Sequence, residues 1–391
     1  MTVKIENKLN ILLFTDADVF AGTERHILDL AMGLRTMGVN ATIACPRPGA
    51  LATRAAAADI PVVAIPKIGN IDRNAIHQLV RLLNSAAFDL IHAHNGRTHI
   101  AAAFAVKKAR RGICIATQHF LLPARTTHTG IKAIIASFLH RRASAHTAGV
   151  IAISNAVRDC AIARRDDLPE KITTILNGSS PPDLTDAPGP TLVRSSLGLE
   201  ADTPFIFCAA RLQAEKDIPT LLSAMRIVMT NHPKAHCLIA GEGDQKAMLE
   251  RLISDLHLAP NVQLLGFRHD IPSLLRACDL FVLPAAAEPF GLVLLEAMAL
   301  ARPVIATSAG GPPEIVRHGE TGLLVAPKDP AAMASAINKL LDNPNLRNVM
   351  GSAGHARYCG HFTVDRMARD TLALYRKLLN IAPTNQLAAL K

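Results

Sequence analysis

Tryptophan is absent from this 391-residue chain, only two tyrosines occur, and aromatic residues make up 4% of it. A core without large rings must be filled by aliphatic side chains and alanine, and hydrophobic residues at 49% supply them. That composition suits helices packed on buried parallel strands. Paired cysteines are missing too. The seven cysteines stand singly at 45, 114, 160, 208, 237, 278 and 359, which argues against a zinc ribbon or a redox dithiol and points to a reducing compartment. No uncharged apolar run reaches the length needed to span a bilayer, and the polar opening Met1–Asn10 does not read as a signal peptide. The chain is therefore expected to be cytoplasmic, soluble or peripheral on the inner face of the membrane. There is no internal repeat and no low-complexity tract. The first strand-like run is not followed by Gly-x-Gly-x-x-Gly, which disfavours a dinucleotide site.

The length accommodates two domains of roughly 180 residues each. The net charge of +10 is unevenly placed: residues 1–185 hold 22 Lys and Arg against 13 Asp and Glu, the remainder 20 against 19. A basic first half can face nucleic acid, an anionic membrane or an acidic substrate. No basic stretch is interleaved with aromatics, so no nucleic-acid partner is expected.

Apolar runs separated by Ala-rich helical stretches recur along the chain. Leu9–Phe14, Ala41–Cys45, Val62–Ile65, Leu90–Ala93, Ile113–Thr117 and Val150–Ile153 read as buried strands, and so do Pro204–Ala209, Cys237–Ala240, Val262–Gly266, Leu280–Leu283 and Val304–Thr307. Alternation of strand and helix is the signature of an α/β fold with doubly wound sheets. Ser179–Pro190 carries four prolines and marks a linker. The domains are accordingly set at 1–180, a linker at 181–191, a second domain at 192–360, and an amphipathic helix within 361–391. In Gly130–Arg142 the residues Ile131, Ile134, Ile135, Phe138 and Leu139 form an apolar stripe with Lys132, Arg141 and Arg142 at its rim. A core-facing helix is the favoured reading, and an interfacial helix on an anionic membrane is the alternative.

Ligands of doubly wound sheets gather at the C-terminal ends of the strands. There lie His92, His94, Asn95 and Arg97, then Gln118 and His119. His92 and His94 invite a metal reading, but the strand alternation is expected to turn them to opposite sides, and no third ligand is evident. No divalent metal is expected, on the reading that no Asp-x-Asp motif closes a strand.

The stretch Glu288-Pro-Phe-Gly-Leu-Val-Leu-Leu-Glu296 follows a strand and a small-residue turn. A helix is expected to start near Phe290 after Pro289, with Leu292, Leu295, Met298 and Ala299 on its apolar face, Glu288 at its mouth and Glu296 about two turns inside. A strand, tight loop and helix N-terminus favour an anion, whereas two carboxylates repel a bare phosphate. A ligand with hydroxyls for the acids and a diphosphate for the amides, such as a nucleotide sugar, satisfies both. Arg211 and Lys216 follow the strand at 204–209, and a guanidinium fork and a mobile ammonium suit a diphosphate.

With Gly310-Gly311-Pro312-Pro313-Glu314 downstream, the two glutamates seven residues apart in the context Glu-x-Phe-Gly resemble the retaining family 4 glycosyltransferases of GT-B fold. The resemblance runs over nearly the whole chain. It implies two Rossmann-like domains facing each other across a cleft, the first on the acceptor side, the second holding the donor, and the terminal helix crossing back to the first. It assigns Arg211 and Lys216 to the donor diphosphate and Glu288 with the amides of Phe290, Gly291 and Leu292 to sugar hydroxyls and phosphates. Glu296 is assigned to the ribose, His119 to the donor sugar, and the loop at Gly241 to the nucleotide border, with Phe267–His269 near the base. Where relatives have Gly-Gly after the first strand, this chain has Ala21-Gly22, so only Gly22 matches.

The expected activity is transfer of a hexose, with retention, from a nucleoside diphosphate sugar to a glycan or lipid-linked acceptor in surface polysaccharide or lipopolysaccharide synthesis. UDP is the first expectation for the nucleotide and GDP the second, with no cofactor beyond the donor. A sugar-nucleotide epimerase and a non-catalytic sugar- or nucleotide-binding module are the alternatives.

Overall fold

The computed structural model describes residues 8–17, 19–66, 68, 72–85, 88–121 and 131–381, apart from the side chains of 131–137. The chain forms two compact units, one of Met1–Gly178 with Val364–Lys391, the other of Ser179–Thr363.

In the first unit seven strands form one sheet: β1 (Asn10–Phe14), β2 (Asn40–Cys45), β3 (Val62–Ala64), β4 (Leu90–Ala93), β5 (Ile113–Gln118), β6 (Gly149–Ala152) and β7 (Ile172–Thr174). All neighbours are parallel, in the order β3-β2-β1-β4-β5-β6-β7. Successive side chains of a strand point to opposite faces, so a sheet covered on both faces needs apolar residues at every position. β1 shows this directly. Ile11 and Leu13 enter a core with Ile27 and Leu30 of the helix Gly22–Thr36, while Leu12 and Phe14 enter another with Ile91 and Ala102. The first core is completed by Met367, Ala368, Leu372 and Tyr375 of the helix Val364–Leu378, nearly two hundred residues downstream of the rest of that unit.

The second unit is built likewise from β8 (Phe205–Ala209), β9 (His236–Ala240), β10 (Val262–Gly266), β11 (Leu280–Leu283), β12 (Val304–Thr307) and β13 (Gly322–Val325). Its order is β10-β9-β8-β11-β12-β13, again parallel throughout. Both sheets are doubly wound and Rossmann-like, the GT-B type of domain. In each, the order reverses beside the first strand, between β1 and β4 and between β8 and β11. Loops that leave the strands there diverge to opposite faces and open a crevice at the carboxyl edge.

The expected strands lie within a residue or so of those observed, while β7 and β13 had no forecast. β7 buries only Ile172 of its three residues. Of the stripe expected at residues 130–142, positions 130–137 lie outside the described residues or side chains. Phe138 is 56% exposed, and Leu139 is half-buried against a core. Among the described residues no helix is long and apolar enough to cross a membrane.

Candidate active site

The reversal between β8 and β11 brings together residues some seventy positions apart. The loop after β8 carries Arg211 and a single 3₁₀ turn, Ala214–Lys216; the loop after β11 carries Glu288. The two loops are tied by backbone. The Glu215 carbonyl accepts from the amides of Ala286 at 2.9 Å and Ala287 at 3.4 Å, and Thr307 from β12 donates to the Ala285 carbonyl. On this frame the Lys216 ammonium donates to Glu288 Oε2 at 2.7 Å, with the two side chains 14% and 11% exposed. An ammonium and a carboxylate this far out of water satisfy each other's charge, and removing one leaves the other uncompensated. Arg211 lies differently. It is more than half exposed and meets Glu215 at 3.1 Å, leaving most of its fork turned to solvent.

Glu288 is held from the other side as well. It bridges Gly310 in parallel register, and its carbonyl accepts from the Gly311 amide at 2.8 Å. The helix beyond it departs from expectation. It spans Leu292–Ala299 and not a segment starting near Phe290, because Gly291 takes φ +106° as its N-cap. A left-handed residue cannot be helical, so Pro289 and Phe290 stay outside the helix and Glu296 sits little more than one turn inside, half-buried. The buried face is Leu294, Leu295, Ala297 and Met298. Phe290 points into the core against Phe362, with ring centroids 6.2 Å apart, so only its backbone is turned to the loop. Leu292 is the first helical residue, and its amide is among those a helix leaves without an internal acceptor.

Gly241 closes β9. A Cβ there would stand 1.9 Å from the Ala210 carbonyl oxygen, and its φ is +142°, so no other residue lets the β8 and β9 loops approach this closely. The Gly241 amide reaches the Gly266 carbonyl at 2.8 Å, and beyond it Phe267 is exposed with its ring edge-on to His269 at 4.7 Å.

The residues expected in the first unit cluster at its own reversal. Gly22 is the exposed first residue of the helix Gly22–Thr36, whose entry is capped by Glu24 accepting from the Ala21 amide at 3.0 Å. Asn95 caps the helix Gly96–Ala109 and donates to Asp16 Oδ1 at 2.6 Å, and Arg97 meets Asp16 Oδ2 at 2.8 Å. Asp16 belongs to an Asp16-Ala17-Asp18 sequence after β1, so an Asp-x-Asp motif does close a strand, contrary to the sequence reading. Its Asp16 is fully buried and engaged by these two side chains; Asp18 lies outside the described residues.

His119, directly after β5, is buried, and burial together with the neighbouring His26 and His92 holds its pKa well below that of a free imidazole. A neutral ring of this kind offers one donor and one acceptor to a hydroxyl-bearing ligand. The expectation that His92 and His94 turn apart is overturned: residues two apart on a strand share a face, and the rings lie 4.2 Å centroid to centroid. His92 is occupied by Tyr375 Oη on one nitrogen and Thr117 Oγ1 on the other, both at 2.6 Å. His94 Nδ1 lies 3.3 Å from His119 Nε2. His26 completes this group and had no signal in the sequence, since it stands on a helix among charged residues. A cavity of about 590 Å³ among Arg141, Arg165, Asp167 and Lys171 opens at the opposite strand ends, on the loops that precede β6 and β7, away from every residue above.

Two family profiles together match most of the chain: "Glycosyltransferase Family 4" over residues 20–181 and "Glycosyl transferases group 1" over residues 191–357. The chain is 28% identical over 384 residues to the alpha-maltose-1-phosphate synthase of Mycolicibacterium smegmatis, covering 92% of this chain and 96% of that one. Over 181 residues it is 31% identical to the lipopolysaccharide core biosynthesis glycosyltransferase LpsE of Rhizobium meliloti, 46% of this chain and 52% of the other. Among solved structures, Anabaena HepE in complex with UDP-glucose superposes with a TM-score of 0.79 at 27% identity, covering 94% of this chain and all of HepE. The profiles, the paired doubly wound sheets and these likenesses agree: the chain belongs to the family 4 glycosyltransferases, retaining enzymes of GT-B fold that draw a hexose from a nucleotide-sugar donor.

Proposed function

We propose that this enzyme transfers a hexose from a UDP-sugar to a glycan or lipid-linked acceptor in the synthesis of a surface polysaccharide or lipopolysaccharide. UDP is favoured by the likeness to HepE, solved with UDP-glucose; GDP stands second, with a Corynebacterium glutamicum relative, 38% identical over 172 residues, named as GDP-mannose-dependent. The acceptor class is suggested by the likeness to LpsE. In this reading the first domain, 1–180, serves the acceptor, and 192–360 holds the donor.

The observation that carries the reading is the Lys216–Glu288 pair at 2.7 Å beside the half-free Arg211. Breaking the bond from the anomeric carbon to the diphosphate puts positive charge on the sugar and negative charge on the leaving group. Lys216, Arg211 and the amides at Phe290, Gly291 and Leu292 are assigned to that negative charge, where fixed donors in a partly dry site count most. Glu288, already aligned by Lys216 and Gly311, takes sugar hydroxyls as an acceptor; Glu296 takes the ribose. His119 is assigned to the sugar and Gly22 and Gly241 to close backbone approach. Retention then follows from attack on the face the diphosphate leaves, with a leaving phosphate oxygen taking the acceptor proton.

The test is donor binding and slow donor hydrolysis across UDP-, GDP- and ADP-sugars, with and without EDTA. Release of UDP from one sugar, not lowered by EDTA and abolished in Glu288→Ala, is expected. If no nucleotide sugar binds, the assignment of Arg211 and Lys216 to a diphosphate fails.

A further inference from the structure

Three imidazoles from distant parts of the chain converge at the carboxyl edge of the first sheet. His26 comes from the helix Gly22–Thr36, His94 directly follows β4, and His119 directly follows β5. They are 4%, 0% and 6% exposed. Their ring centroids are 4.9 to 5.6 Å apart, and one nitrogen of each lies within 4.8 Å of one nitrogen of the other two.

Hydrogen bonding accounts for only part of this group, since His94 Nδ1 and His119 Nε2 partner each other and His26 is left out. Both ring nitrogens of His26 and Nε2 of His94 are buried without a partner. Asn177 lies close enough to His26 to favour its protonated form slightly, but no bond of good geometry joins them. Buried polar atoms are nearly always satisfied, so a His26 ring with no partner beside the His94–His119 pair needs an explanation, and an ion held by one nitrogen of each ring supplies one for a His26 nitrogen. His94 Nδ1 and His119 Nε2 are 3.3 Å apart, which is about the edge of a tetrahedron whose centre lies ~2.05 Å from each nitrogen, the zinc–imidazole distance. No carboxylate belongs to the triad, and three imidazoles without oxygen ligands suit Zn²⁺ and not Mg²⁺ or Ca²⁺.

We propose that His26, His94 and His119 bind a single Zn²⁺-class ion through one nitrogen each, leaving a fourth position open to solvent or ligand. The ion takes no part in the transfer chemistry above. It withdraws His119 from the donor sugar, so zinc acts as a reversible inhibitor; this consequence alone rests on the proposed role of His119.

The experiment is titration of the full chain, stripped with EDTA, with Zn²⁺ by calorimetry and with Co²⁺ by visible absorption. One tight equivalent and the intense bands of tetrahedral cobalt are expected. His26→Gln and His94→Gln, each checked for folding by circular dichroism, should weaken zinc binding by at least about tenfold to a hundredfold. The chain has 16 histidines, and the exposed His355 lies 3.6 Å from Cys359 as a competing surface site; His355→Ala should leave the tight equivalent intact. Wild-type binding no tighter than in the Gln variants, or loss of the site in His355→Ala, would overturn the proposal. Donor hydrolysis supplies the separate readout: inhibition by zinc that EDTA reverses supports both assignments. Tight binding at the triad with unchanged turnover keeps the metal site and removes His119 from the sugar.

Discussion

Lys216 has two tasks that oppose each other. Without donor its ammonium neutralises Glu288 at 2.7 Å in a site little open to water; with donor it is assigned to a diphosphate whose charge grows as the bond breaks. An interaction that strengthens toward the transition state shows in turnover more than in binding. Lys216→Ala is therefore expected to lower kcat about 100- to 1000-fold, while donor affinity measured by calorimetry falls about tenfold or less. Equal losses in the two would mean that Lys216 only binds. His99 makes a second argument at this scale. Its Nε2 meets Thr147 Oγ1 at 2.7 Å, and that hydroxyl spends its own proton on the Ala143 carbonyl, so the imidazole is the donor. Burial first, then His140 and Lys171, hold its pKa well below 6.5. The folded state keeps the ring neutral, whereas the unfolded chain takes up a proton once the pH falls below 6.5. Stability is thus intact above that value and declines below it, by up to about 1.4 kcal/mol per pH unit from this residue. In urea unfolding between about pH 5 and 8, His99→Gln should show a shallower decline on the acid side and no change of slope on the alkaline side. Identical slopes would sink the assignment.

Elements were far easier to read in the sequence than their meeting points. Leu90–Ala93, Leu280–Leu283 and Val304–Thr307 were legible to the residue because a strand buried on both faces is a largely apolar run between polar or glycine-bearing turns. The helix after Glu288 was misplaced by two residues because its start depends on the left-handed backbone of Gly291, which a Pro-Phe-Gly sequence does not announce. β7 was missed because an edge strand of three residues needs little apolar surface. Arg211, Lys216 and Glu288 stood out by spacing and context; His26 did not, since only the parallel sheet order brings it beside His94 and His119. The helix Val364–Leu378 repeats the lesson. Its period is plain in the sequence, but its polar anchor is not: Tyr375 Oη meets His92 Nδ1 at 2.6 Å in the core of the first unit. Tyr375→Phe keeps the ring and strips that bond, leaving a buried nitrogen unpaired at a cost of about 1–3 kcal/mol. Urea unfolding should register the loss, and hydrogen exchange should show this helix opening more readily. Unchanged exchange would mean that apolar packing alone holds it.

At the scale of the whole molecule the two units differ in how the chain enters them. Ser179–Thr363 is one continuous stretch whose core is drawn from β8 to β13 and the helices between and after them. Its ends are fastened to each other, Ser179 bridging Thr363 and donating its amide to the Phe362 carbonyl at 3.0 Å, with the Tyr358 hydroxyl on the Ser179 carbonyl at 2.9 Å. The first unit is discontinuous: Met1–Gly178 lacks the side chains of Met367, Ala368, Leu372 and Tyr375, which fill one of its two cores, and it lacks Arg366, which donates to the carbonyls of Leu176 at 2.6 Å and Asn177 at 2.9 Å. Stripping that helix exposes the apolar side of Ile27, Leu30 and Leu34 to water. Each fully buried aliphatic side chain is worth about 1.5–3 kcal/mol, so several lost together rival the roughly 5–15 kcal/mol that holds a typical domain folded. A fragment of residues 179–363 is therefore expected to fold alone with a cooperative urea transition. A fragment of residues 1–178 is expected to aggregate or bind a hydrophobic dye, and a synthetic peptide of residues 364–381 added in trans should restore a cooperative transition. Cooperative unfolding of 1–178 without the peptide would show that the terminal helix covers a core already able to stand by itself.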